Sequence, residues 1–314
     1  MTLLTIGIAC FNAEDTIERS ITAALNQTWE DKEIIIVDDR SQDNSVNIIK
    51  EIAKNDPRIR LFQREINSGF ASNLNLMIKE AAGKYILIQD DDDESLPDRA
   101  KKQVEALKNA ENMLGHDYII CNASRNVIGK NGEIGFSKAI GTGHIPVSGE
   151  SLALHMFFRD ILDAENDGAV ATGSLLAKVE TLKRLGGYDP QFRREEDSDL
   201  VVRLALSGGA CIGIAEPLLR QHRTVSPDKA GKIPLNNMLL LVKKHKSYLS
   251  RRLYYAATMK AYSRHYYTIR DKLRARIYLF ALILLRPSSV NKAFRSTVRR
   301  RARYISNLFY GDTK

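Results

Sequence analysis

Cysteine is scarce in this chain of 314 residues. The three cysteines, Cys10, Cys121 and Cys211, are an odd number at wide spacing, and no CxxC pair occurs. A disulfide scaffold and a four-cysteine zinc site are therefore not expected. A reducing compartment such as the cytosol is the simpler expectation.

Long hydrophobic runs are also missing. The longest covers nine residues, 277–285, between two arginines, whereas a spanning helix needs about 20. The first ten residues are mostly apolar, but they lack the basic start of a secretory signal and continue directly into polar residues. We therefore expect neither a signal peptide nor a helix that crosses a bilayer.

Acidic residues are almost absent from the last quarter of the chain. Residues 235–314 contain 19 Lys and Arg against two Asp, a net charge of +17, whereas residues 1–234 carry −8. Such an asymmetry favours an anionic partner for the basic region. A membrane surface is the preferred interpretation, ahead of ordinary packed helices with a solvated basic face and, last, of nucleic acid.

Strand and helix patterns alternate along residues 1–122. Apolar runs of strand length occupy 3–9, 33–37, 60–63, 85–89 and 118–122, and helical periodicity lies between them. Gly83 is expected to cap the third helix and Pro97 to begin the fourth. This alternation predicts a mainly parallel sheet with helices on both sides.

The alternation weakens after residue 123. Asn131-Gly132 predicts a hairpin turn, and further elements are expected as a strand at 170–176, a helix at 179–185, a helix after Glu196 and a strand at 211–215. Residues 140–168 give no firm pattern, and residues 233–310 predict helices rich in Arg, Tyr and Leu.

Carboxylates follow two of the predicted strands. Residues 90–94 read DDDDE directly after the strand at 85–89, and Asp38-Asp39 end the strand at 33–37. The carboxyl ends of parallel strands meet at one edge of a sheet, where ligands bind. Oxygen ligands of this kind suit Mg²⁺ or Mn²⁺. The alternative, a solvated acidic loop that caps the next helix, is about equally compatible with residues 90–94 taken alone.

Seven blocks in order resemble the inverting glycosyltransferases of family 2, whose fold is called GT-A. They are TIGIACFN at 5–12, LNQTW with EIIIVDDRSQD over 25–43, NSGFASN at 67–73, GKYI to DDDD over 83–93, TGS at 172–174, GGYDP at 186–190 and EDSDL at 196–200. The resemblance covers about residues 3–226. It implies an α/β GT-A fold with a catalytic domain over 1–228, divided into a nucleotide-binding half (1–122) and an acceptor half (123–228). Residues 229–314 are expected to form a basic helical region outside it.

The resemblance also implies roles for single residues. Asp92 of the DxD block would bind the metal, Mn²⁺ or Mg²⁺, with His222 as a further candidate ligand. Asp197 would be the general base, with Glu196 beside the acceptor, and Asp199 would instead pair with Arg203 as a structural ion pair. The residues expected to bind the nucleotide sugar are Phe11, Asn12, Asp39, Asn67, Gly69, Asn73, Asp90 and Asp91.

The implied function is metal-dependent inverting transfer of a sugar from a nucleotide diphosphate, preferably UDP, to an acceptor hydroxyl in a cell-surface polysaccharide or lipid-linked glycan. The expected location is the cytoplasmic face of the membrane, bound peripherally. A sugar-nucleotide nucleotidyltransferase is the rival enzyme, although the first turn, CFNAE at 10–14, lacks its glycine-rich loop. A membrane or nucleic-acid adaptor that acts through the basic region is the non-enzymatic rival. The sugar, the linkage and the oligomeric state stay open.

Overall fold

The computed structural model describes residues 3–129, 131–224 and 231–289. The chain divides into two compact units, Met1–Lys229 and Ala230–Lys314. The strands of unit 1 are β1 (Leu4–Cys10), β2 (Lys32–Asp38), β3 (Ile59–Gln63), β4 (Tyr85–Asp90), β5 (Glu94–Ser95), β6 (Ile119–Ile128), β7 (Ile134–Ser137), β8 (Val147–Ser148), β9 (Leu175–Lys178) and β10 (Ala210–His222). Its helices are α1 (Ile17–Leu25), α2 (Ser45–Asn55), α3 (Phe70–Glu80), α4 (Arg99–Leu114), α5 (Gly149–Phe158), α6 (Val179–Arg184) and α7 (Glu196–Leu206).

All ten of these strands belong to one mixed sheet. Its main path runs β3-β2-β1-β4-β9-β6-β10-β5, and β7 and β8 pair with β6 and β10. β3, β2, β1 and β4 are parallel, as are β6 and β10. β9 lies between these two groups and is antiparallel to both neighbours. The expected α/β class with a mostly parallel central sheet is confirmed, with an antiparallel strand at its centre.

Helices cover both faces of the first four strands. All seven residues of β1 and of β2 are buried, which is typical of parallel strands covered on both sides. On one face, Ile6 and Ile8 join a core cluster with Ile21 of α1 and Val104 of α4. On the other face Gly7 is so close to α3 that an added Cβ would lie 2.7 Å from Met77 Sδ.

Several sequence expectations need correction. Helix α3 ends at Glu80 with Ala81 at its C-cap, so Gly83 does not cap it. Gly83 instead packs against β1, where a Cβ would lie 2.5 Å from the Thr5 backbone nitrogen. The strand expected over 170–176 begins only at Leu175, because 172–174 form a 3₁₀ turn.

The second half of unit 1 holds more regular structure than its sequence pattern indicates. β10 runs for 13 residues along β6, with irregular register near Pro217, instead of the five residues expected. Helix α5 lies in the segment that gave no firm pattern. The hairpin is confirmed, since Ile128 pairs with Ile134 across β6 and β7.

Unit 2 is helical where it is described. It contains α8 (Ile233–Lys244), α9 (Arg251–Thr268) and α10 (Lys272–Leu285), followed by a 3₁₀ turn at Pro287–Ser289. Of the helices predicted over 233–310, the part after Ser289 lies outside the described residues. Within the described ranges, none of the helices combines the length and apolar character needed to span a bilayer.

Candidate active site

Three carboxylates meet just beyond the carboxyl end of β4. One oxygen each of Asp90, Asp92 and Asp93 can be chosen so that all three lie within 4.8 Å of one another. The backbone turns there, with the Asp93 N–H donating to the Asp90 carbonyl, and then enters β5. We call these three residues the acidic cluster. Asp93 was not singled out by the sequence analysis, which assigned the other two.

Asp93 is the most deeply buried member of the acidic cluster. Asp93 is only 1% exposed, and its Oδ2 atom has no hydrogen-bond partner among the described residues. Burial, together with the charges of Asp90 and Asp92, raises the pKa of Asp93 well above its usual range. A buried carboxylate in this state is stabilised by a cation.

The side chain of Arg99 is a buried cation near the acidic cluster. Arg99 of α4 is fully buried and donates hydrogen bonds to the Ile88 carbonyl and to Ser95 Oγ. Burial lowers its pKa to about 10, while the charges of Asp90 and Asp93 oppose that shift. Arg99 therefore remains charged and offsets part of the negative charge of the acidic cluster.

The composition of the acidic cluster fits a hard divalent cation. Three carboxylates supply oxygen ligands of the type that Mg²⁺ and Mn²⁺ prefer. Asp93 Oδ2 is buried and unpartnered, so it is an oxygen that a cation would satisfy. Asp90, Asp92 and Asp93 are the residues that could hold such an ion.

Asp91 points to a different neighbour from the rest of its run. Its Oδ2 accepts a 3.0 Å hydrogen bond from the Phe11 N–H, which ties the end of β4 to the turn after β1. Burial raises the pKa of Asp91 to about 7, aided by the charges of Asp92 and Asp90. The Phe11 ring is half exposed beside this turn.

Asp39 is held by the loop before α3. Its two carboxylate oxygens accept hydrogen bonds from the backbone N–H groups of Ser68 (2.7 Å) and Gly69 (2.9 Å). Asn67 Nδ2 donates to the Asp39 carbonyl oxygen, and Gly69 takes a φ of 83°, which favours glycine. These contacts fix the Asp39 carboxylate at the edge of the sheet.

Asn12 and Asn73 differ in their exposure. Asn12 adopts φ 51° and links the β1 turn to the β2 turn, since its N–H donates to Ser41 Oγ and its Oδ1 accepts from the Gln42 N–H. Asn73 is 2% exposed within α3, and its Oδ1 accepts from Arg64 Nε. The ligand contact expected for Asn73 stays a prediction, and its visible contact is structural.

A second pair of carboxylates opens α7. Glu196 Oε1 accepts a 3.2 Å hydrogen bond from Thr172 Oγ1. Asp197 Oδ1 accepts from the Ser198 N–H at 2.6 Å. Burial raises the pKa of both, with the negative charge of Asp197 adding to the shift of Glu196 and that of Glu195 to the shift of Asp197.

The turn at 172–174 brings the acidic cluster and the α7 pair to the same region. Thr172 hydrogen bonds to Glu196. The next residue, Gly173, lies so close to Asp90 that an added Cβ would be 2.4 Å from Asp90 Oδ2. One short turn therefore touches both carboxylate groups.

Arg125 of β6 lies close enough to both groups for their charges to act on it. Burial lowers its pKa, and the charges of Asp90, Asp93 and Asp197 all act against that shift. Its Nε donates to Gln221 Oε1, and its Nη1 is buried without a hydrogen-bond partner among the described residues. Like Arg99, Arg125 was missed by the sequence analysis. Nothing in the order of residues relates Arg125 to carboxylates over thirty positions away.

His222 lies beside the acidic cluster but is not one of the residues that could jointly hold a metal ion there. Its backbone N–H donates to Asp93 Oδ1, and its Nε2 is 2.7 Å from Glu94 Oε1. The ligand role expected for His222 stays a prediction, and the Nε2 atom is engaged by Glu94 in this structure.

The expected structural pairing of Asp199 is present. Its carboxylate is fully buried and lies 2.9 Å from Arg203 Nε. Arg203 also donates to the carbonyl oxygens of Leu185 and Gly187. This ion pair anchors the Gly186-Gly187 turn to α7.

Comparison with known proteins places the chain in a family. The sequence profile described as "Glycosyl transferase family 2" matches residues 5–165, about half of the chain. The chain belongs to this glycosyltransferase family. The family expected from the seven sequence blocks is therefore confirmed.

Two curated relatives illustrate the similarity. An "uncharacterized glycosyltransferase" of Haemophilus influenzae is 33% identical over 129 residues, which are 41% of this chain and 52% of that protein. The Escherichia coli protein named UDP-Glc:alpha-D-GlcNAc-diphosphoundecaprenol beta-1,3-glucosyltransferase WfgD is likewise 33% identical over 129 residues, 41% of this chain and 50% of that protein. The matched segment thus spans about half the length of these two relatives.

The fold also matches solved structures. TarS of S. aureus, residues 1–349 in complex with UDP-GlcNAc, superposes with a TM-score of 0.60 at 15% identity, over 91% of this chain and 81% of that one. The same protein in complex with UDP gives a TM-score of 0.59 at 17% identity, over 85% of this chain and 72% of that one. At these identities the likeness establishes the fold alone.

Proposed function

We propose that the protein is a metal-dependent, inverting glycosyltransferase that moves a sugar from a UDP-linked donor to an acceptor hydroxyl in the assembly of a cell-surface polysaccharide or lipid-linked glycan. The observation that carries this proposal is the acidic cluster beside the Glu196–Asp197 pair, with the 172–174 turn touching both. The names of the relatives support the choice of donor and acceptor class, because WfgD is named for UDP-Glc and a diphosphoundecaprenol-linked sugar.

The nucleotide is assigned to the turns at the ends of β1, β2 and β4. We propose that Asp39 recognises the base, since a carboxylate can accept a hydrogen bond from the N3–H of uracil. Its side chain is already oriented by the Ser68 and Gly69 N–H groups. Phe11 offers an exposed ring, and Asn12 with Asn67 braces the surrounding loops.

The diphosphate is assigned to the acidic cluster. Asp90, Asp92 and Asp93 would hold Mn²⁺ or Mg²⁺, which supplies positive charge to neutralise the departing nucleotide diphosphate. Asp91 orients the Phe11 backbone through its hydrogen bond. Arg125, on which the charges of Asp90, Asp93 and Asp197 act, would contribute a second positive charge.

The acceptor proton is assigned to Asp197. Inverting transfer requires a base that takes the proton of the attacking hydroxyl while the diphosphate leaves from the opposite face of the sugar. Burial and the charge of Glu195 raise the pKa of Asp197, which makes it a stronger base than an ordinary aspartate. Glu196, bonded to Thr172, lies on the acceptor side.

We propose that the protein acts while bound to the membrane surface. The basic region supplies the charge for peripheral attachment to anionic lipid on the cytoplasmic face. The nucleotidyltransferase alternative is disfavoured by the first turn, which reads CFNAE where a glycine-rich triphosphate loop would be needed. A pure adaptor would give no reason for the raised pKa values of Asp91, Asp93, Glu196 and Asp197.

The decisive experiment compares Asp92→Asn with Asp98→Asn in Mn²⁺-dependent UDP binding, measured by calorimetry. Asp92→Asn removes an anionic ligand, so we expect affinity to fall by at least the ~10–100-fold that even an outer-shell loss costs. Asp98 is exposed, and its Oδ1 accepts only a surface hydrogen bond from Thr28, so Asp98→Asn should bind like the wild type. Equal Mn²⁺-dependent affinity in all three proteins would refute the metal-dependent donor site.

A further inference from the structure

Helix α10 of unit 2 is apolar on two opposite faces, and α9 covers one of them. Ala275 and Leu282 are buried, and Tyr278 stacks between Tyr262 and Tyr266 of α9, with ring centroids 5.0 and 5.4 Å apart. Residues 275, 278 and 282 are spaced by three and four, so they lie on one side of the helix. Tertiary packing thus accounts for this face of α10.

The opposite face of α10 carries four large apolar side chains that remain exposed. Leu273 is 71% exposed, Ile277 56%, Phe280 63% and Leu284 64%. Their spacing of four, three and four places them in one stripe along the helix, about 180° around the axis from the packed face at 100° per residue. We call these four residues the α10 stripe. Such a stripe needs an explanation, because apolar surface in a row marks a binding surface.

The edges of the α10 stripe are positively charged. Lys272 and Arg276 lie along one side of it, and α10 itself contains no acidic residue. Arg274 lies on the other side, where it pairs with Asp271 at 3.6 Å and lies over the Tyr266 ring of α9. A helix with an apolar face bordered by Lys and Arg is typical of an element that lies in the plane of a membrane surface. Its 14 residues are too few to cross a bilayer.

The charge pattern argues against two other occupants. A second copy docked stripe to stripe would place basic edges against basic edges, which is unfavourable. Residues 290–314 of this chain carry seven Lys and Arg against one Asp, so they share the sign of the stripe's edges. An anionic lipid surface complements both the apolar stripe and its borders.

We propose that the α10 stripe inserts into the headgroup–acyl boundary of an anionic membrane, with Ile277 and Phe280 at its centre. The proposal makes specific the membrane attachment suggested above and rests on it. It does not depend on the transfer chemistry, because the stripe belongs to unit 2 and the carboxylates to unit 1. Attachment by this face holds the protein at the lipid surface without spanning it.

The experiment uses the full chain and a single labelled cysteine. The three native cysteines are all buried, so Phe280→Cys can be labelled selectively with the polarity-sensitive dye nitrobenzoxadiazole. We expect its emission to rise and shift to the blue with vesicles of phosphatidylcholine and phosphatidylglycerol, but not with phosphatidylcholine alone. The same dye at Phe136→Cys, a residue of β7 that is 59% exposed, should not respond. If the protein sediments with the vesicles but the dye at position 280 does not respond, another part of the chain binds the membrane.

A matched pair of double variants tests the energetic role of the stripe. The double variant Ile277→Gln/Phe280→Gln should lower partition onto the anionic vesicles by at least about tenfold. Each substitution removes the favourable free energy of transferring an apolar side chain from water into the membrane. Ile134→Gln with Phe136→Gln changes the same residue types at similar exposure, 71% and 59%, and should leave partition unchanged. Added salt should weaken wild-type binding. Equal partition of both double variants, or indifference to lipid charge, would overturn the proposal.

Two further readouts separate this proposal from its rivals. Sedimentation velocity would reveal a dimer that the Ile277→Gln/Phe280→Gln variant loses, and that result would assign the stripe to a second copy instead. Mn²⁺-dependent UDP binding in the absence of vesicles reports on unit 1 and should be identical in all variants. A protein that binds vesicles through the stripe but does not bind UDP would uphold this inference and refute the proposed transferase.

Discussion

At the scale of single residues, two aspartates two positions apart have opposite surroundings. Asp199 is buried against Arg203, which also binds two carbonyl oxygens. Asp197 has burial and the charge of Glu195 acting against its ionisation, with Arg159 and hydrogen bonds from Ser198 only partly offsetting them. The first arrangement stabilises the fold, and the second leaves a carboxylate able to accept a proton.

The two neutral variants should therefore fail in different assays. Asp197→Asn keeps its shape but accepts no proton, so we expect the rate of UDP release with membrane lipids as acceptor source to fall about 10²–10⁴-fold. Its thermal stability should be unchanged or higher, because a desolvated charge is removed. Asp199→Asn should lower the free energy of unfolding by about 3 kcal/mol through the unpaired Arg203. A near-wild-type rate for Asp197→Asn would move the base to Glu196.

At the scale of elements, the 3₁₀ turn at 172–174 organises the site although it supplies no ionisable group. Thr172 bonds to Glu196, Gly173 lies against Asp90, and Ser174 Oγ accepts from Asn122 Nδ2 on β6. The turn leads into β9, which separates the two parallel groups of strands. Strand order thus decides that carboxylates from β4 and α7 face a common region.

A methyl group at Gly173 should disturb this arrangement. The Cβ of Gly173→Ala would fall 2.4 Å from Asp90 Oδ2, so the Asp90 carboxylate must move and the acidic cluster loses its geometry. We expect Mn²⁺-dependent UDP affinity to fall about tenfold or more, by analogy with the loss of an outer-shell partner. Gly135→Ala is the control, since its Cβ would meet nothing closer than 3.7 Å. Unchanged affinity in Gly173→Ala would show that Asp90 is dispensable for the ion.

At the scale of the whole molecule, the carboxylates whose pKa is raised link stability to pH. Asp91, with its pKa raised to about 7, and Asp93, whose pKa is also raised, bind protons in the folded state that they would release when unfolded. The folded state therefore binds more protons than the unfolded state between about pH 4 and the raised pKa values. Under that condition the free energy of unfolding falls as pH rises through neutrality.

A divalent cation should reverse this trend. Metal-free protein should melt at a lower temperature at pH 7.5 than at pH 5.5. A loss of about 1 kcal/mol in the free energy of unfolding lowers the melting temperature by roughly 2–4 °C. Mn²⁺ binds the ionised carboxylates, so its stabilising shift should be larger at the higher pH. Thermal denaturation at both pH values checks this, with Asp92→Asn as the variant that should lose the shift. An equal Mn²⁺ shift at both pH values would contradict it.

The local elements could be predicted because their signals are local. The apolar runs placed each of the first four strands within one residue, with helices between them as expected, and the seven blocks identified the family. Charge counting alone separated the acidic body from the basic region. The candidate base and the DxD carboxylates were likewise readable as motifs.

Other features depended on contacts between distant parts of the chain. The burial of Asp93 requires β5, a strand of two residues whose pairing with β10 leaves no periodic signal. The positions of Arg99 and Arg125 follow from helix and strand packing, and the role of Gly83 from its approach to β1. The sequence showed α10 only as a nine-residue apolar run. Which of its apolar residues α9 buries, and which form the exposed stripe, was decided by tertiary packing, because burial depends on the neighbouring element as well as on residue type.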